Sequence, residues 1–268
     1  MKAEVPEETV RSSTDRRNFL KRVGATGVGV AAATMLGGAL SGVEAATIVT
    51  DVDILNFALN LEYLEGEFYS VATYGATLEQ LGIIPHSAVG GPTTGGKMVN
   101  FNGAPVAFLA GALRYTEQQH VIYLRKALGA AAVKKPAINL DALGYGFANV
   151  NDFLKLARQF EDVGVSAYLG AAPLIKSKAY LAAAGAILAT EAQHSGSIRV
   201  ECIQDGVVSP AVDSLDVPPT PQTPYAIDSN ALSISRTTSQ VLNIVYGGGR
   251  CSGGFYPNGM NGNIVCQG

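Results

Sequence analysis

The chain has 268 residues and a mass of 27.8 kDa, enough to bury a full core, and one main domain with appendages is the expected organisation. Only 15% of its residues are charged, Gly is abundant and Trp is absent, a composition that suits tightly packed helices and argues against a disordered chain. Beyond residue 45 there remain 13 basic and 17 acidic side chains, a net charge of 13 − 17 = −4, which gives nucleic acid no electrostatic footing.

Residues 1–45 read as an address. Arg16 and Arg17 precede Phe19, Leu20 and Lys21, a weakly apolar Gly/Ala stretch follows to about Leu40, and small residues around Ala45 offer a cleavage site. The run Asp15-Arg16-Arg17-Asn18-Phe19-Leu20-Lys21 resembles a twin-arginine signal, with Asp15 standing where Ser or Thr is usual. The expectation is export by the twin-arginine machinery to a periplasmic or extracellular location. The stretch is Gly-rich and interrupted by Thr26 and Thr34, so no permanent membrane span is expected.

Residues 46–206 carry four segments of helical periodicity. The first opens at Thr50, with Asp53 three residues on as in a capping box, and runs from about Asp51 to Val71. A Gly/Pro/Thr/Asn-rich connection, 73–103, is long for a compact domain. The second helix follows Pro105 and runs to Leu128, before Gly129. A link of about 20 residues leads to the third, a length suited to a crossover along a bundle. That third helix runs from about Asn151 toward Pro173, which ends or kinks it. The fourth spans about Ser177 to Ile203. Residues 207–268 are expected to form an irregular extension: Pro210, Pro218, Pro219, Pro221 and Pro224 favour an extended arm, and Thr237 and Gln240 bracket one short helix through Tyr246. Cys202, Cys251 and Cys266 permit one disulfide in an oxidising compartment, with the pairing left open.

Two of the three histidines follow a glutamate by three residues, in Glu117-Gln118-Gln119-His120 and Glu191-Ala192-Gln193-His194. Three residues is close to one helical turn, so each Glu and His share a face and can reach one ion. Both faces are otherwise apolar, with Leu113, Val121 and Leu124 on one and Ala184, Ile187 and Ile198 on the other. A carboxylate and an imidazole among aliphatic groups need an offsetting partner, which a divalent cation supplies. Glu161, on the stripe Leu154, Ala157, Val165, Tyr168, is the only glutamate between His120 and Glu191. In the first helix Glu62 is the preferred fourth carboxylate, with Glu65 in reserve; Glu65 and Glu67 otherwise read as members of a buried salt-bridge network or as charges on a solvated helix face. With 22 acidic residues in 268, a histidine has an acid three places before it about 8% of the time, so two by chance fall below about 1%. The alternative is a buried salt-bridge network or a solvated face, against which stands the scarcity of cationic partners on helices two and four. Tyr69 and Tyr168 are candidates to hydrogen-bond the ligands, and Arg199 either orients a carboxylate or is exposed. His86 reads as a surface histidine.

Two E-x-x-H pairs plus one Glu from each of two further helices is the donor set of ferritin-like di-iron and di-manganese proteins. Together with the stretch from Leu55 through Glu62 to Tyr69, Glu117–His120 running into Leu124–Leu128, and Glu191–His194 with Arg199 behind it, the sequence resembles the ferritin-like domain family, which includes exported bacterial proteins and plant desiccation-related proteins. The resemblance covers about Asp51 to Asp205. It implies an all-α, ferritin-like four-helix bundle with a long crossover, holding two iron or manganese ions on Glu62, Glu117, His120, Glu161, Glu191 and His194. Ferroxidase, peroxidase and manganese-catalase chemistry, with oxygen or peroxide as partner, all fit those donors, as does a non-catalytic stress or envelope protein that keeps the fold. Homo-oligomerisation is compatible with the resemblance, whereas iron storage requires a hollow cage that the long first loop and the tail disfavour.

Overall fold

Helix α1 (Asp51–Tyr74) starts at Thr50, whose hydroxyl accepts the Asp53 amide while the Asp53 carboxylate accepts the Thr50 amide. The computed structural model describes residues 49–267, so the expected export signal at 1–45 lies outside the described residues. The helix runs one turn past the expected end at Val71, because Gly75 takes a left-handed conformation (φ 64°) and returns its amide to the Val71 carbonyl. Helix α2 (Val106–Leu128) follows Pro105. Asn149 caps α3 (Val150–Ala171) through the Asp152 amide, and Pro173 limits the continuation to one 3₁₀ turn, Ala172–Leu174. Ser177 caps α4 (Lys178–Gln204), and Thr237 forms a capping box with Gln240 at α5 (Thr238–Val245).

Helix α1 packs along α2 and α3 packs along α4, giving the expected all-α bundle of two helix pairs face to face. The connection between α1 and α2 and that between α2 and α3 meet in a two-residue parallel ladder, Thr93 and Thr94 of β1 (Thr93–Thr94) beside Ile138 and Asn139 of β2 (Ile138–Asn139). Lys135 locks this junction: its ammonium donates to Gly91 O and Thr93 Oγ1 and lies 3.8 Å from Glu67. Helix α1 is buried on every side from Ile54 to Ala72, the mark of a central helix. Of the two alternatives for Glu65 and Glu67, this excludes the solvated face, since both are buried, and Glu67 has the buried ion-pair partner Lys135.

The tail wraps its own bundle. Arg158 on α3 binds Asp216, Ser209 and Pro210 O, while Arg199 on α4 binds Asp162 and the carbonyls of Val217, Thr223 and Pro224. Arg236 of the tail holds Asp213 and the Ser166 hydroxyl. Gly170 permits this close approach, because a Cβ there would collide with the Arg236 carbonyl oxygen. Further on, the Tyr256 hydroxyl donates to Asn60 O, and Cys251 bonds Cys266, leaving Cys202 as a buried free thiol. Among the described residues no helix is long and apolar enough to cross a membrane.

Candidate metal centre

The i, i+3 spacing brings Glu117 and His120 to one face of α2, and Glu191 and His194 to one face of α4, as an α-helix requires. Between these faces come Glu62 from α1 and Glu161 from α3. All four carboxylates are fully buried, and His120 and His194 are nearly so at 8% and 6% exposure. The six side chains form two overlapping donor sets, Glu62, Glu117, His120, Glu191 and Glu117, Glu161, Glu191, His194, each with its donor atoms within 4.8 Å of one another. Glu117 and Glu191 belong to both. The two imidazole rings lie 6.1 Å apart.

Donor atoms crowd together here without the partners that burial demands. His120 Nδ1 stands 3.2 Å from Glu62 Oε2, from Glu117 Oε2 and from Glu191 Oε1. His194 Nδ1 lies 2.8 Å from Glu117 Oε1 yet off the hydrogen-bonding direction, so both atoms are buried without a hydrogen bond. Glu161 Oε2 and both oxygens of Glu191 are also unpartnered. An orphaned buried carboxylate oxygen is costly, and four of them with one imidazole nitrogen in one pocket call for a cation. Four carboxylates carry a formal charge of −4, which two divalent ions cancel, so the residues present fit such a pair.

The electrostatics say the same. Burial pushes the Glu117 carboxyl up to about 7, and it raises Glu191 well above the carboxylate range, with Glu117 and Glu161 adding repulsion. Burial alone would depress the imidazoles, but the surrounding carboxylates overcome it, raising His194 to about 11 and His120 further still. Burial also works against ionisation of Glu62, and His120 outweighs it, holding that carboxyl below its usual value. Protons occupy the pocket when no metal does.

Outer contacts orient the donors. The Tyr168 hydroxyl donates to Glu62 Oε1 and that of Tyr69 to Glu161 Oε1, each at 2.5 Å. Burial, followed by these same carboxylates, pushes both phenols well up, so they keep their protons. Arg199 is buried rather than exposed, and its guanidinium reaches Asp162 at 2.6 Å, not any of the six donors. Glu65 is in neither donor set; its carboxyl stands beside the pocket, across the bare Cα of Gly164 from Glu191. His86 is exposed and pairs with Glu79. Sequence reasoning missed Thr116. Its hydroxyl lies within hydrogen-bonding distance of the Ala112 and Leu113 carbonyls and 2.8 Å from His194 Nε2, which holds that side of the ring and turns Nδ1 to Glu117 and Glu161. Its position just before Glu117 was visible, but its contact with α4 depends on how the helices pair.

A profile of the ferritin-like domain matches residues 50–204, the segment that holds all six donors. Among characterised proteins the chain is similar to "Ferritin-like catalase Nec2" of Nesocodon mauritianus, with 24% identity over 268 aligned residues, covering 80% of this chain and 85% of the relative. It is also similar to "Desiccation-related protein PCC13-62" of Craterostigma plantagineum, with 27% identity over 168 residues, covering 56% of this chain and 52% of that protein. With the helical bundle in place and the profile spanning more than half its length, the chain belongs to the ferritin-like domain family.

Proposed function

We propose that this chain is an exported di-metal oxidoreductase in which Glu62, Glu117, His120, Glu161, Glu191 and His194 hold two iron or manganese ions, and that its reactant is a small oxygen species, hydrogen peroxide before dioxygen or ferrous ion. The observation that carries this reading is the pair of donor sets sharing Glu117 and Glu191, with unpartnered buried oxygens in both. Carboxylate-rich sites with one imidazole per ion suit iron or manganese better than metals that select thiolates. When bound, such ions supply the reversible electron transfer that peroxide or oxygen chemistry needs. Peroxide comes first because the relative that aligns over most of both chains is named a catalase.

The protein's own groups have definite tasks in this reading. Glu117 and Glu191, common to both donor sets, would be shared between the two ions, His120 and His194 would each offer Nδ1, and Tyr168 and Tyr69 hold Glu62 and Glu161 by one oxygen so that the other stays free. Thr116 keeps His194 in the correct orientation. Thr116→Val is expected to weaken metal binding about 10- to 100-fold, read by competition with a chromophoric chelator. Equal affinity in variant and wild type would remove Thr116 from the site.

Elemental analysis of the purified protein, followed by oxygen-electrode recording after a peroxide pulse, tests the central reading. About two iron or manganese ions per chain, with metal-dependent peroxide consumption, is the expected result; a chain that takes up neither metal refutes it. The second reading, a non-catalytic stress protein that keeps the site, is favoured by the similarity to a desiccation-related protein, and it predicts metal-dependent stability without turnover. Export through the twin-arginine route rests on Arg16 and Arg17 and is supported by the Cys251–Cys266 disulfide, which suits an oxidising compartment. Retention of an Arg16→Lys/Arg17→Lys variant in the cytoplasm, with export of the parent, is the expected fractionation result; equal export of both refutes the route.

A further inference from the structure

An apolar funnel leads from the surface toward the donor pocket. Its mouth, about 360 Å³, opens between α3, α5 and the tail, lined by Leu143, Tyr145, Pro210, Ile244 and Phe255 among others. Its neck, about 10 Å³, is bounded by Leu61, Leu64, Phe160, Val163 and Val245 and ends on Glu65 and Gly164. Phe160, Val163 and Val245 line both, so only these three side chains stand between mouth and neck. At the inner end, Gly164 matters for what it lacks. A Cβ there would stand 2.7 Å from Glu191 Oε2 and 3.1 Å from Glu65 Oε1, so only glycine lets these two carboxyl groups come so close to the α3 backbone at the end of the neck.

We propose that this funnel is the route by which a small uncharged molecule, the size of water or hydrogen peroxide, reaches Glu65 and Glu191. The neck has room for about one such molecule. Its aliphatic and aromatic walls supply no group to replace the hydration shell of an ion, so ferrous or other metal ions are excluded from this path. The one polar side chain on the neck, Glu65, stands at its inner end, where a hydrogen-bonding molecule finds its first partner. A second cavity of about 200 Å³ beside α4 is lined by Asp162, Arg199, Asp216 and Arg236, whose charges are paired (Arg199 with Asp162, Asp216 with Arg158, Arg236 with Asp213), so a neutral molecule there meets ion pairs rather than an apolar wall. Pro210, Ile244, Val245 and Phe255 of the funnel's walls belong to the tail, which gives the extension a part in selecting what arrives. The identity of the reactant rests on the reading above; the route itself does not.

The route is tested on the full chain by methyl NMR with dioxygen dissolved under pressure as a neutral paramagnetic probe, a readout that needs no bound metal. The methyls of Leu61, Leu64, Val163 and Val245 are expected to relax about threefold more than those of Leu59 and Leu154, which are buried but off the route. Equal relaxation in the two groups overturns the proposal. Val245→Phe, which narrows the neck without touching a donor, is expected to remove the effect at Leu61 and Leu64 and, at unchanged metal content, to slow peroxide consumption about tenfold. Unchanged consumption in a variant whose neck is closed by the NMR criterion also overturns it. A dioxygen response at the neck methyls in a chain that binds no metal leaves the route standing and refutes the di-metal reading instead.

Discussion

Glu117→Ala/Glu191→Ala is expected to abolish metal content, from about two ions per chain to none. Each single substitution removes one donor from both sets and leaves three; the double variant leaves each set with one carboxylate and one imidazole, too few to hold a hard divalent ion against water. The stability change is diagnostic. Burial raises both carboxyls in the metal-free pocket, Glu117 to about 7 and Glu191 well above its ordinary value, so at neutral pH each is held at a cost. Against burial, both carboxylates also help hold His120 and His194 protonated, so removing them relieves one cost and forfeits an attraction, and the metal-free variant is expected to unfold at a denaturant concentration close to that of the metal-free parent. Added metal then stabilises the parent, by mass action, and not the variant. If the two glutamates were members of a structural salt-bridge network, the variant would be the weaker protein with or without metal.

Helical spacing made part of this site legible and concealed the rest. Glu117 with His120, and Glu191 with His194, could be read because i and i+3 fall on one face of any α-helix, whatever packs against it. Glu161 could be read by its stripe, and the helix starts by capping residues that act within one turn. The contacts that depend on which helices meet were not legible. Thr116 reaches His194 only because α2 faces α4, and Arg199 turns from the pocket to Asp162 because the tail's carbonyls surround its guanidinium. Periodicity also could not choose, for Glu65 and Glu67, between a buried ion-pair network and a solvated face. A charge in an amphipathic pattern is compatible with either, but α1 is covered on every side, and the partner that makes Glu67 tolerable, Lys135, lies 68 residues further on. Cys251 and Cys266 were two of three candidates, and only the folded tail brings them together.

Metal uptake is expected to be steeply dependent on pH, tighter as pH rises. In the metal-free pocket the carboxylates around His120 and His194 outweigh burial and keep both imidazoles protonated through the neutral range, His194 up to about 11. A bound ion needs the Nδ1 lone pair of each, so filling the two sites displaces at least two protons. Thr116 holds the Nε2 side of the His194 ring, which makes Nδ1 the nitrogen that faces the pocket. Each displaced proton is worth a factor of ten per pH unit, and Glu191, raised by burial well above the carboxylate range, adds to the two imidazole protons, so the overall constant for two ions is expected to rise by at least about 100-fold per unit above pH 7. Below about 7 the Glu117 carboxyl also carries a proton, and the slope steepens to at least about 1,000-fold per unit. Isothermal titration in buffers of differing ionisation enthalpy counts the protons directly. Two or more released per pair of ions, rising as pH falls through 7, matches this pocket; release near zero would mean that ions bind elsewhere, on carboxylates already ionised at the surface.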